Sequence, residues 1–460
     1  MTSTPARDGS GRRRPPSVDA VLTALSSSVA GADRDALTTL ARAVIDDERQ
    51  RLLAGEPQRS ASELATATAE RLDAFARAGV DAVINATGVI VHTNLGRAPW
   101  PAAVADGVAG LARESLLLEL DRMTGRRGAR ARIAEDHLIA LTGAEDAYIT
   151  NNNAAAMVLA VGLAGRGGGV VVSRGELVEI GGGVRIPDIV RRTGARLIEV
   201  GTTNRTRAED FEAPLAEGRA RAVLRVHPSN FTMSGFTERP DAAAVAAIAH
   251  RHGAIVIDDL GSGALMETAV YGLAHEPMPA ERLAAGADLV TFSGDKLVGG
   301  PQAGFIVGRA ALIARIRRDP LARAMRPDKT TMAGVALTLG LYRSGRATTD
   351  IPVWRMIAAP LSGLAARAGA LVERVGEAAS AVESRATVGG GSLPGETLAS
   401  IGIALRARSA TRLLAALRDG DPIVIGRILD GRVVLDLRTV EPSRDGDLAR
   451  ALEQALGGAR

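Results

Sequence analysis

Cysteine is absent from all 460 residues. That excludes disulfides, thiolate metal sites and cysteine nucleophiles, and it fits a reducing compartment, so a cytoplasmic protein is expected. Aromatic residues make up 2% of the chain, so its cores must rest on Ala, Val, Leu and Ile. No stretch approaches the roughly 18 uncharged apolar residues of a membrane helix, and no membrane partner is expected. The opening MTSTPARDGSGRRRPPS has arginines with no apolar run behind them, so it is not read as a secretory signal. Lysine is almost missing as well: of 56 basic residues only Lys296 and Lys329 are lysine. Arginine stays protonated and cannot act as an amine nucleophile, whereas lysine can once its pKa falls. With 52 acidic residues the net charge is only +4, a weak argument for a nucleic-acid partner.

What is present is an ordinary globular balance, 46% hydrophobic and 23% charged, in a chain long enough for two or three domains. Residues 1–16 read as a flexible basic leader. From Ser17, apolar residues recur at helical spacing, with Ser17 or Asp33 as N-caps, and they do so again in SELATATAERLDAFARAG from Ser62. The pattern predicts a helical module over 17–79. Near Val83 the character changes. Runs at 147–150, 169–173, 196–200, 222–226, 254–258, 288–293 and 303–308 have strand character, and helical runs separate most of them. This predicts an α/β large domain over 80–333 with a mostly parallel sheet, the 303–308 run being a candidate antiparallel partner. Residues 334–460 read as a smaller α+β domain with a hairpin turn at Asp430-Gly431.

The stretch TFSGDKLVGGPQAGFIVG (291–308) places Lys296 just past the end of an apolar strand. In open α/β sheets ligands sit beyond the carboxyl ends of strands, where a lysine can be desolvated and become a Schiff-base amine. Ser293, three residues earlier, could bond a phosphate. Upstream, AIVIDDLGSG (254–263) ends a strand with Asp258 and Asp259. Pyridoxal 5′-phosphate (PLP) needs a carboxylate facing its pyridine nitrogen, and either Asp could supply it. In YITNNNAAAMVLAV (148–161), a strand runs into a helix start containing Asn152, Asn153 and Ala154, an anion site for the cofactor phosphate. Arg97, the group GRRGARAR (125–132), Arg323 and Arg326 suggest an anionic second substrate. Each motif also has a plain reading: a surface lysine in a glycine-rich turn, a carboxylate capping a helix or holding Mg²⁺, an Asn-capped helix, and solvated arginines. No GxxxxGKS, GxGxxG after a strand, or HExxH occurs, and the six histidines show no ligand spacing.

Together INATGVIVHTNLGRAP, GAEDAYITNNNAAA, SRGELVEIGGGVRIPD, EVGTTNRT, SGDKLVGGPQAG, GSLP and PVIGRILDGRVVLDLR resemble the bacterial selenocysteine synthases, the L-seryl-tRNA(Sec) selenium transferases, over nearly the whole chain. The resemblance implies an aminotransferase-like, PLP-dependent fold type I domain with Lys296 carrying PLP. Seryl-tRNA(Sec) would lose its serine hydroxyl, and selenium from selenophosphate would add to the dehydroalanyl product. It implies that Arg97, Arg323 and Arg326 bind the donor's anionic group, and that Arg130 and Asp295 take part in catalysis. It favours Asp259, directly before LGSG, as the pyridine partner, with Asp258 left open. It further implies tRNA recognition by the N-terminal helices and a homo-oligomeric ring of dimers, with a decamer the expected size. The alternatives are a PLP lyase or transferase acting on a small phosphorylated amino acid or amino sugar, and a PLP-fold protein that only binds tRNA.

Overall fold

The computed structural model describes residues 14–25, 32–76, 80–128 and 132–458. Residues 1–13 of the expected leader lie outside them. The chain forms two compact units, Met1–Ala82 and Val83–Arg460.

In the first unit, α1 (Val18–Leu25), α2 (Arg34–Leu53) and α3 (Ala61–Ala76) bury Val21, Leu25, Ala41, Val44, Ile45 and Leu64 in a common core. Helix starts leave N–H groups without intrahelical acceptors, and side chains fill that need here. Ser17 accepts from the Ala20 N–H at 3.2 Å, and Asp33 from the Asp35 N–H at 2.9 Å. Helix α3 begins one residue earlier than expected. Ser60 caps it, because Ser60 and Glu63 close a capping box in which the Glu63 carboxylate accepts from the Ser60 N–H at 2.6 Å. Glu48 is fully buried, held by Arg51 at 3.0 Å and Arg59 at 2.6 Å.

The second unit is built on a seven-stranded sheet: β1 (Asp146–Thr150), β2 (Gly169–Ser173), β3 (Arg196–Val200), β4 (Ala222–Val226), β5 (Ile255–Gly261), β6 (Leu289–Ser293) and β7 (Gly304–Gly308). Their order is β1-β7-β6-β5-β4-β2-β3. Only β7 runs antiparallel to its neighbours, as its short link to β6 suggested. The inner strands are mostly apolar on both sides because helices cover both faces, whereas edge strand β3 leaves Arg196 and Glu199 exposed. Alternation sends Leu224, Ile257 and Leu289 to one face, where α4 (Asn153–Gly162) packs Ala156, Met157 and Ala160. The other face carries Val223 and Val256 against the helix Ala242–Arg251, and Val290 and Phe292 against Leu138 and Leu339.

The expected boundary at 333/334 falls inside one continuous helix, Lys329–Arg343. Beyond it lies a four-stranded antiparallel sheet of β8 (Ala379–Gly389), β9 (Ser392–Leu405), β10 (Arg427–Leu429) and β11 (Arg432–Asp436), in the order β8-β9-β11-β10. Asp430 and Gly431 take φ of 48° and 73° and turn β10 into β11, as the DG pair predicted. The long β8–β9 hairpin is a feature the sequence reading did not place. Its turn, Gly389, Gly390 and Gly391, has three consecutive left-handed residues. Among the described residues no single helix is long and apolar enough to cross a membrane.

Candidate functional site

The carboxyl ends of β4, β5 and β6, with the start of α4, converge on Lys296. The period of two along β5 separates the adjacent carboxylates. Asp259 continues the row of Ile257 and lies on the α4 side. Its Oδ1 accepts from Asn153 Nδ2 at 2.8 Å and from Thr291 Oγ1 at 2.7 Å. Asp258 is on the opposite face, 3.7 Å from Arg282, beside a buried pair in which Arg225 Nε lies 3.1 Å from Glu176. Both carboxylates are 5% exposed. Burial raises Asp259, against the hydrogen bonds from Asn153 and Thr291. Burial also raises Asp258, to about 6, despite the nearby charges of Arg282 and Arg225.

Lys296 follows β6, whose last residue Ser293 is buried. Burial pushes the lysine amine below its ordinary value, while the carboxylates of Asp259 and Asp295 pull the other way. Two glycines stand beside the amine. A Cβ at Gly261 would lie 3.8 Å from Lys296 Nζ, and one at Gly391 would lie 3.3 Å from it. Next to the lysine, Asp295 Oδ2 accepts from Arg97 Nη1 at 2.7 Å, while Asp295 Oδ1 is buried without a partner. Arg97 itself has φ 69° after Gly96 at 86°, so the HTNLGRAP turn is strained and fastened to the lysine segment.

Asn152 caps α4, accepting from the Ala155 N–H at 2.9 Å. The amides of Asn153 and Ala154, in the first turn, have no intrahelical acceptor. Asn153 Oδ1 is buried and unpartnered.

The structure thus brings together Lys296, Asp295, Asp259, Asn153 and Arg97. Arg323 and Arg326 line a different cavity of about 700 Å³ that also takes in Arg127, Arg132, Arg317 and Tyr148. There Arg326 bonds Glu119 at 2.9 Å, and Arg127 bonds the same carboxylate at 2.7 Å. Arg130 lies outside the described residues.

Four neighbours were missed by sequence reasoning. Thr291 is the register partner of Asp259, which only strand pairing reveals. Ser229 Oγ would be 3.6 Å from a Cβ at either Gly261 or Gly391. His227, directly after β4, donates its N–H to the Asp259 carbonyl at 2.8 Å, and its Nε2 lies 3.4 Å from Glu276. That buried Glu276 oxygen has no hydrogen-bond partner. The one signal in the sequence was the HPS triplet following a strand.

The family model of L-seryl-tRNA selenium transferase matches residues 83–441. The chain is 42% identical to the L-seryl-tRNA(Sec) selenium transferase of Rhizobium meliloti (strain 1021), over 96% of this chain and 97% of that protein. It is 40% identical to that of Carboxydothermus hydrogenoformans, over 97% and 98%, and 42% identical to that of Moorella thermoacetica, over 91% of each. Among solved structures, a D-glucosaminate-6-phosphate ammonia-lyase is similar with a TM-score of 0.60 at 24% identity, covering 84% of this chain and 98% of that one. That likeness bears on the fold alone, an α/β fold type I arrangement of the aminotransferase-like class. With a family match over most of its length and relatives above 40% identity along nearly all of it, the chain belongs to the L-seryl-tRNA selenium transferase family.

Proposed function

We propose that the protein converts seryl-tRNA(Sec) to selenocysteyl-tRNA(Sec), with PLP held on Lys296 and selenophosphate as the donor. The observation that carries this reading is identity of 40–43% to relatives bearing that transferase name, over nearly the full chain. A small-molecule lyase has only the shared fold in its favour.

The residues present fit the cofactor. A buried carboxylate, Asp259, is fixed in orientation by two donors, and the unpartnered Oδ1 of Asn153 and the open amides of α4 lie on the same side. Bound there, PLP supplies an electron sink that makes loss of the Cα proton and departure of the β-hydroxyl accessible. The chain's own groups would do the rest. The Asn153 and Ala154 amides would hold the phosphate. Asp259 would keep a proton on the ring nitrogen, since a buried anion in that position favours the cation facing it. Lys296 Nζ, made less basic by burial, is suited to take the Cα proton. Asp295 would hold Arg97 in place through their 2.7 Å bond, with the guanidinium's other N–H groups available to an oxyanion. Arg323, Arg326 and Arg130 would serve the donor anion and catalysis, and Ser293 the phosphate. The helices of residues 17–79 would recognise the tRNA, and the protein would work in the cytoplasm as a ring of dimers.

The test supplies purified protein with seryl-tRNA(Sec) or seryl-tRNA(Ser), each with and without selenophosphate, and identifies the esterified amino acid by mass. Selenocysteine formed only on tRNA(Sec), and only with selenophosphate, is the expected result. No conversion on either tRNA by protein with visibly bound PLP would overturn it.

A further inference from the structure

The β8–β9 hairpin belongs to the C-terminal sheet, yet its turn reaches the lysine of the main sheet. Gly389 and Gly390 lie against Val89 and Val91, and a Cβ on either would fall 2.5 Å from their methyl carbons. That contact fixes where the turn sits. Gly391, the next residue, faces Lys296: its Cβ would stand 3.3 Å from Nζ and 3.6 Å from Ser229 Oγ. Across the amine, Gly261 has the same two neighbours at 3.8 Å and 3.6 Å. Two glycines from separate elements and one hydroxyl therefore bound the space beside the amine. Contacts of 3.3–3.8 Å mean that a single added carbon would already reach Nζ. A group that replaced the lysine amine on a bound cofactor would come to lie beside Nζ, next to these two glycines.

We propose that Gly391 is a specificity-determining residue: the glycine turn admits an aminoacyl ester with a short, hydroxylated side chain beside Lys296 and excludes branched or aromatic ones. The inference rests on the cofactor and substrate reading above. In the exchange it controls, the incoming amine nitrogen forms the bond to the cofactor carbon that Nζ gives up. Its two protons end on Nζ, so no further reactant is needed.

Gly391 has φ +78°, so a side chain there costs backbone strain whatever the space. Gly395 separates the two effects. It has φ +81° in the same hairpin, but a Cβ there meets only Thr232 at 3.7 Å. Full-length protein loaded with PLP is mixed with the methyl esters of serine, threonine and phenylalanine, and loss of the lysine-bound absorbance is followed. Borohydride reduction and peptide mapping locate the cofactor beforehand. In the unmodified protein, serine ester should exchange at least about tenfold faster than the other two. Gly391→Ala should slow serine ester at least about tenfold relative to Gly395→Ala, a ratio equivalent to ~1.4 kcal/mol of crowding. Equal rates for all three esters in the unmodified protein would overturn the size filter and leave the Lys296 reading standing; this holds even if Gly391→Ala fails to fold. Equal rates for the two variants would overturn it too. If no cofactor is reduced onto Lys296, the reading beneath it falls as well.

Discussion

Single residues decide the chemistry here, and the adjacent carboxylates illustrate how. Asp258 has its folded pKa raised from 3.8 to about 6 by burial. For an acid shifted upward, stability is full below the unfolded pKa and is lost as pH rises through the folded one. Between pH 4 and pH 7 this group should cost about 2 kcal/mol of stability. Asp258→Asn should therefore flatten the fall in Tm over that range, and melting curves of both proteins check it. Parallel curves would mean that Asp258 is already ionised at pH 4. Asp259→Asn should act differently: it keeps the amide of Asn153 close but removes the anion, so PLP should bind more weakly and its absorbance should change. Lys296→Ala should abolish the lysine-bound band altogether, and persistence of a normal band would displace the site. The sequence displayed the DD pair and the lysine plainly. It could not tell which carboxylate lay on the side of Asn153 and which on that of Arg282, because facing depends on the pleat, and a β-bulge between Asp259 and Gly261 shifts the register just there.

At the level of elements, legibility followed hydrophobic pattern. The seven strands of the main sheet were visible because their residues are mostly apolar and β2, β4, β6 and β7 are buried along their whole length. The β8–β9 hairpin was not. Residues such as Glu383, Ser384 and Arg385 interrupt its outer half, and Asp436 is buried from below by bonds to Ser384 and Ser400 at 2.6 Å. That polar network leaves no simple alternation to read. Local pairing also hid the state of the Arg323 and Arg326 cavity. Arg326 and Arg127 both pair with Glu119, in the segment that precedes Arg127, so an internal carboxylate already holds both guanidinium groups. Partly exposed pairs of this kind are worth roughly 0.2–1 kcal/mol. Glu119→Gln should thus tighten binding of phosphate, as a stand-in for the donor anion, by a few-fold. Calorimetric titration of both proteins measures this, and weaker binding would mean that Glu119 positions Arg326 instead of competing for it.

For the whole molecule, the chain divides at Ala82/Val83 into two compact units. Every residue gathered around Lys296 lies in the second unit, and the family model begins at residue 83. The first unit has its own core of Val21, Leu25, Ala41, Val44, Ile45 and Leu64. A small-molecule lyase would have little use for such a unit, whereas a large nucleic acid needs contacts far from its reacting end. Protein consisting of residues 83–460 should therefore keep the PLP absorbance and its reducible linkage to Lys296. It should lose discrimination between tRNA(Sec) and tRNA(Ser), with affinity for tRNA(Sec) down by at least about tenfold at fixed salt, because losing even a few phosphate contacts has that effect. Filter binding of both tRNAs, paired with the spectrum, reads the two units independently. Retained discrimination would place the tRNA-reading surface on the second unit, whereas loss of the spectrum would mean that the first unit supports the cofactor site after all.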